Sequence, residues 1–330
     1  MGRFVKLLQR ISANDINDAG TKATYLGWLA RAGFNVPSGC CIPRSAYAFL
    51  KEYNGLQPRI DELLSHMIYD DLGSVEKTTS DIRKLITSSS FPPALEGEVS
   101  RAVSELSMGG RCFLAVRVSF APGNHQYTLG SGASDPFCFL RGKKSVLQHM
   151  KICWSYHWSS KAALDRYFRN AAHDREHVVP IIQRMVDSRV SGILFTRNLE
   201  HGSKNEIRIE ANWGLGNTVV SGRSMQDLYT LRRAGLALKE KRIVKKTVVA
   251  VFDEKRGVGS INRAVDSEMM DTETLTNAEI RTLGEVGLRI EGLFGSPQEI
   301  AWAFEGPDLF ILGSHDIRYG KEKKRWDKEL

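Results

Sequence analysis

Three short runs rich in β-formers, Ile181 to Val186, Gly192 to Thr196 and Ile207 to Ala211, follow one another with only short polar turns between them. Spacing of this kind leaves no room for crossover helices, so it predicts neighbouring strands of an antiparallel or mixed sheet. Two further runs, AWAF and LFIL, close the folded part of the chain. A helix is expected just before them: Thr276 and Glu279 form a capping box, Ile280, Leu283, Val286, Ile290 and Leu293 recur on one face, and Gly295-Ser296-Pro297 ends it.

The first half reads differently. Gly20 starts a turn, and Leu26, Leu29 and Ala30 recur at helical spacing up to Gly33; NVPSGCCI then predicts a turn into a short strand, and a second helix runs through Tyr47 and Leu50. Residues 55 to 108 alternate at helical period, with breaks at Gly73 and at Phe91-Pro92-Pro93. CFLAVRV, residues 112 to 118, predicts a strand, and the Gly-rich APGNHQYTLGSGASDP after it predicts a loop. Val146, Met150, Cys153, Trp154 and Trp158 fall on one side of a helix between Ser145 and Asn170, with the two tryptophans as core anchors and Pro180 as the next boundary. Taken together the chain is of the α/β (α+β) class, without internal repeats.

Composition narrows the function classes. An apolar fraction of 42% and a charged fraction of 25% over 330 residues are those of a globular protein. No apolar run reaches the roughly 18 residues of a membrane helix, and the opening MGRFVKLLQRISAND turns polar too soon for a signal peptide. Five cysteines, an odd number without a C-x-x-C pair, suggest neither a disulfide framework nor a zinc site, and a cytoplasmic location is expected. The formal charge of +8 favours anionic partners. Nucleic acid is not favoured among them, since no recognised nucleic-acid module is present. The basic tail, residues 319–330, interleaves its lysines with acids and reads as solvated.

Two cations stand out. Arg117 sits inside an apolar strand run, where a charge needs an anion or a carboxylate to meet it. Gly123, Gly130 and Gly132 in the following loop can bring backbone amides close to a phosphate. Lys22 follows Gly20 at the opening of the first helix, where an ammonium and the positive helix end together suit phosphate.

The segment AGTKATYLGWLARAGFNVPSGCCIPRSAYAFL resembles the opening of phosphoenolpyruvate synthase: a Gly-Gly-Lys turn, a helix with a Leu-Gly pair, then Ala-Gly-x-x-Val-Pro-x-Gly. The similarity continues in order through AVRVS, CWSYHWSSKAA, IIQRMVDSRVSGILFTRN, ANWGLGNTVVSG, Asp227-Leu-Tyr, RIEGLFGSPQEIAWAFEG and LFILGSHDI, and covers most of residues 20 to 318. The chain is therefore similar to the nucleotide-binding module of pyruvate phosphate dikinase, phosphoenolpyruvate synthase and rifampicin phosphotransferase. That resemblance implies an ATP-grasp-like fold, two lobes with an interlobe nucleotide cleft: residues 1–181 as the first lobe and 182–318 as the second. It implies ATP, with Mg2+, as the ligand, and transfer of phosphate to a histidine on a swivelling domain.

Carried over by position, Lys22 and Arg117 match the family's phosphate-contacting lysine and arginine, and Gln183, Met185 and Val186 match the segment lining the adenine. Gly130 and Gly132 fall in the loop after the arginine. The departures cluster. The family's Asp-Ile-Glu-Trp reads Glu299-Ile300-Ala301-Trp302, so a metal-binding glutamate is replaced by alanine. Gln-x-Arg-Pro reads Gly313-Ser314-His315-Asp316, which removes a second metal-site side chain and a phosphate-clamping arginine. The Gly-Leu-Gly-Glu turn ends in Asn217, and the acid expected before Thr-x-Leu is replaced near Gln126. Glu299, two residues from Ala301 on a strand and so on the same face, is the carboxylate left for a metal, and His315 is a weaker, pH-dependent substitute for the arginine. Glu291 keeps the family's Ile-Glu pair, and Asp316 is an added carboxylate near the former clamp.

Two functions follow. One is a phosphotransferase component, passing ATP phosphate to a separate carrier protein or a small-molecule acceptor, because the family's phosphorylated histidine is not among the matched segments. The other is a catalytically degenerate relative acting as a binding or scaffold subunit.

Overall fold

The computed structural model describes residues 2–121, 137–198, 205–215 and 225–317. Gly123, His125, Gln126, Gly130, Gly132, Asn217 and the 319–330 tail lie outside the described residues.

Two antiparallel sheets organise the chain. The first runs in the order β1 (Lys6–Leu7), β2 (Gly39–Cys41), β5 (His177–Arg184), β3 (Leu114–Ala121), β4 (Phe137–Leu140). Helices α2 (Arg44–Tyr53), α3 (Leu56–Ser65), α4 (Leu72–Ser88), α5 (Pro93–Leu106) and α6 (Gly142–Ser155) surround it, and their apolar stripes meet Leu114, Val116 and Ile182 in one core. Trp154 is fully buried there, and Trp158 nearly so. The helix expected from Ser145 to Asn170 is in fact two: α6 passes through a 3-10 turn, and Ser159 caps α7 (Ser160–Phe168) by accepting from the Ala162 N–H at 3.2 Å.

The second sheet runs β13 (Asp308–Asp316), β12 (Gln298–Glu305), β6 (Val190–Phe195), β7 (Glu206–Trp213), β8 (Asp227–Arg232), β9 (Leu238–Arg242), also antiparallel throughout. Helix α8 (Asn277–Phe294) covers it. Its capping box is formed as expected, with the Glu279 N–H donating to Thr276 Oγ1 at 3.2 Å and Gly295 ending it at a φ of 70°. Leu293, expected on the apolar face, is 41% exposed. The 3,4 spacing from Leu283 and Ile290 selects Phe294 instead, which stacks on Tyr25 with ring centroids 4.5 Å apart. A hairpin of β10 (Val248–Phe252) and β11 (Ser260–Ala264) forms a separate two-stranded sheet.

Pro180, expected at an element boundary, lies inside β5 opposite Val118. Its carbonyl accepts from Ile42 N at 2.9 Å, just past the end of β2. On an antiparallel strand the N–H of that residue faces the same side, so the missing donor removes no bond from the β3 ladder. Strand β5 also carries residues 182–184 in the first sheet, three residues past the expected lobe boundary at 181.

Helix α1 (Ile16–Arg31) is wedged between the sheets. Ala19, Ala23 and Leu26 pack with Val179 and Ile181 of the first, while Leu29 enters the core of the second. Beyond it, Ile311 N donates to Asn35 O at 2.9 Å. The space left between the sheets, beside α1, is the cleft.

Candidate functional site

Lys22 owes its place to Gly20. That residue breaks α1 with a φ of 77°, and a Cβ on it would stand 2.4 Å from Phe120 O, so only glycine seats the chain this close to β3. The turn is pinned by Ala23 N donating to Ser119 Oγ at 3.3 Å, and Lys22 is left facing the cleft. Its ammonium has no hydrogen-bond or carboxylate partner among the described residues. Burial, with the Arg117 guanidinium as a lesser cause, brings Lys22 down to about 7.

Arg117 projects from β3 across the cleft. Its Nη1 donates to Gln183 Oε1 at 3.1 Å and to the carbonyl of Leu312 on β13, so one guanidinium joins the two sheets. Gln183, only 3% exposed, is itself held by its Nε2 donating to Pro37 O at 3.2 Å. The anion expected from the sequence is not a carboxylate of the protein, since Arg117 meets neutral carbonyl oxygens; burial lowers its pKa.

The far wall begins where β5 ends. Val186 packs on Ala303 and Phe310, and the Met185 sulfur accepts from Phe139 N at 3.2 Å. The Met185 N–H donates to Phe113 O at 2.9 Å, so it is already used and does not serve a base in the way a free strand edge would. Met185 and Val186 thus present an apolar wall.

The floor comes from the second sheet. Glu299 lies directly opposite His315, and Ala301 directly opposite Gly313, with a bulge following at Ala301/Trp302. On the other side Ala301 pairs with Ile193, which pairs with Glu210. Gly192 is required beside it, because a Cβ there would fall 1.8 Å from Glu210 O. The Glu299 carboxyl is pushed up by burial and then by the Glu210 carboxylate. His315, although its ring is partly open to solvent, is pushed down to about 4 by burial and by the Lys22 and Arg117 charges, against the pull of Asp316.

Lys22, Arg117, Gln183, Met185, Val186, Glu299 and His315 all line one cavity of about 310 Å³. The sequence reading thus named seven of its walls. It missed Cys138, Arg184 and Leu215, which line the same cavity; Arg184 was marked only by following Gln183 in the IIQRM run. Glu291 is not there: it takes two bonds of 2.9 Å from Arg233 and acts as a strut. Asp316 accepts from Ser296 Oγ at 2.8 Å and Gln298 Nε2 at 2.6 Å. A larger cavity, about 420 Å³, opens among α2, α3 and the turn after α6, beside His157, His173 and His177. It holds none of the residues matched to phosphate or adenine.

Among the described residues the donor set does not fit a protein-held divalent ion. Mg2+ wants oxygen ligands in octahedral array. Ala301 and Gly313 offer none, and among the described residues no three His, Cys, Asp or Glu side chains converge on a metal position. Among the described residues, too, no helix is long and apolar enough to cross a membrane.

The family model for the pyruvate phosphate dikinase AMP/ATP-binding domain matches residues 16–329. The chain belongs to that family. Among its relatives, the phosphoenolpyruvate synthase of Pyrococcus furiosus is 29% identical over an alignment covering 97% of this chain and 44% of that protein. The rifampicin phosphotransferases of Streptomyces sviceus and Bacillus subtilis are 29% and 28% identical, each over 96% of this chain and 36% of theirs. The chain spans less than half the length of these relatives. In this member of the family, Lys22, Arg117, Gln183, Met185 and Val186 line one cavity.

Proposed function

We propose that this chain binds ATP in the cleft between its two sheets and serves as the ATP-handling component of a phosphotransfer, with the phosphate acceptor on a separate carrier protein or a small molecule. The observation that carries the reading is the convergence of Lys22, Arg117, Gln183, Met185 and Val186, drawn from α1, β3 and the end of β5, on one cavity. The triphosphate would lie toward Lys22 and Arg117, and the base against Met185 and Val186. The two sheets with α1 between them support the ATP-grasp-like arrangement expected from the sequence.

A second reading, a nucleotide-binding subunit without turnover, is favoured by one observation: the facing pair Ala301 and Gly313. Phosphoryl transfer rests on positioning and charge neutralisation, so a floor with no oxygen ligand at positions 301 and 313 should slow it by orders of magnitude.

Thermal stability with ATP, ADP, GTP and a non-hydrolysable ATP analogue tests binding. Ligand at about a hundred times its Kd should add roughly 2.7 kcal/mol. A rise in Tm that is lost in Lys22→Ala and Arg117→Ala supports the cleft as the site. Absence of any shift with every nucleotide would reject the reading, and phosphate release from ATP separates its two forms.

A further inference from the structure

We propose that the cleft takes its nucleoside phosphate in the metal-free form, with Lys22 and Arg117 supplying the positive charge at the phosphate end in place of a protein-held divalent cation. The inference rests on the nucleotide-binding reading above and concerns how that ligand is neutralised.

Two positions decide it. Ala301 and Gly313 are direct cross-strand partners, so a methyl group and a hydrogen occupy one spot on the cleft floor. Loss at a single position would leave the other side chain to reach in; loss at both, in register, empties the place. What lies over that place is a cation: the atom nearest to a Cβ built on Gly313 is Arg117 Nη2, at 3.7 Å.

Arg117 is held there. With Nη1 engaged by Gln183 Oε1 and the Leu312 carbonyl, the guanidinium plane is fixed, and Nη2 remains on the side of Gly313. Lys22, without a carboxylate among the described residues, lines the same cavity. A planar guanidinium and an ammonium are the ordinary protein ligands for phosphate oxygens. Among the described residues, the one carboxylate lining the cavity is Glu299, which belongs to the next row of the sheet, two residues along β12 from Ala301 and opposite His315. Mg2+ is commonly held by one or two carboxylates together with phosphate oxygens. Here a single carboxylate one row away must compete with two cations, which repel a third.

The experiment is calorimetric titration of the full chain with ATP, once in excess EDTA and once in Mg2+. The expected result is a Kd that agrees within about threefold between the two conditions, because the cations that do the work belong to the protein. Binding that tightens tenfold or more in Mg2+ overturns the inference while leaving nucleotide binding intact. No heat and no competition in either condition overturns nucleotide binding itself, and this inference with it. The double variant Ala301→Glu/Gly313→Gln restores oxygen ligands. A Cβ at 313 meets only ordinary contact distance, and circular dichroism checks that the variant folds. It should bind ATP at least tenfold more tightly in Mg2+ than in EDTA; a folded double variant as indifferent to Mg2+ as the parent counts against the assignment of the floor.

Discussion

Arg117 on β3 donates to the backbone carbonyl of Leu312 on β13, and the bond joins the first sheet to the second. The same guanidinium is held by Gln183, so it acts as a strut between the sheets as well as a wall of the cleft. A hydrogen bond from a charged donor contributes roughly 1.5–3 kcal/mol. Arg117→Ala should lower stability by about that amount in urea titrations, and should also speed amide hydrogen exchange around residues 311–314. Unchanged exchange there would show that this bond does not hold the two sheets together.

Lys22 predicts a pH dependence. In the empty cleft its pKa is about 7, lowered by burial and by Arg117, with His315 the other ionisable group its charge affects. Only the ammonium attracts phosphate, so nucleotide affinity should be full below pH 7. Above it, affinity should weaken by up to roughly tenfold per pH unit, following the loss of that proton. The unfolded chain keeps its lysine protonated to near 10.5, so it binds more protons than the native state between pH 7 and 10.5, and Lys22 makes the ligand-free protein more stable as pH rises through that window. Titrations from pH 6 to 9 on wild type and Lys22→Met test both; the variant should lose the slope.

Lys246 and Asp227 form an ion pair 2.7 Å long with both side chains wholly buried. Asp227 also accepts from Val244 N, Thr274 N and Thr274 Oγ1, so β8, the segment after β9 and the approach to α8 are tied at one carboxylate. Removing one partner strands the other charge in the core, which costs about 3–5 kcal/mol. Lys246→Ala should therefore show a large loss of stability in chemical denaturation, whereas replacing both partners with apolar residues should recover much of it.

Gly20→Ala combines a strained φ with a collision against the β3 backbone. The cost should exceed about 1 kcal/mol. Because the turn positions Lys22, the variant should also bind nucleotide more weakly at temperatures where circular dichroism shows it folded. Normal affinity in the folded variant would mean that Lys22 needs no help from this turn.

The candidate site was legible in the sequence at positions where a residue is unusual for its place. Arg117 in an apolar strand and Lys22 behind a glycine both proved to face the cleft. Glu299 was assigned to the face of Ala301 from the two-residue repeat of a strand, and both line the cavity. The repeat fails at Leu293, where a helix position off by one changes the face, and Pro180 sits inside β5 because its missing N–H lies on the side away from β3, past the last β2–β5 pair.

Local elements can be read from the chain alone: the capping box of α8, the strand runs and the glycine turn before Lys22, whereas the loss of oxygen-bearing side chains at 301 and 313 is implied only by the family resemblance. The local elements depend on propensity and spacing over a few residues, which a single chain displays directly. That Ala301 faces Gly313, that Glu299 faces His315, and that Arg117 gives one nitrogen to Leu312 is visible only in the folded chain. Those are relations between residues twelve to nearly two hundred positions apart, set by strand register and by how the two sheets close on α1. No local pattern encodes them, because register is fixed by packing the whole face of a strand against its neighbours.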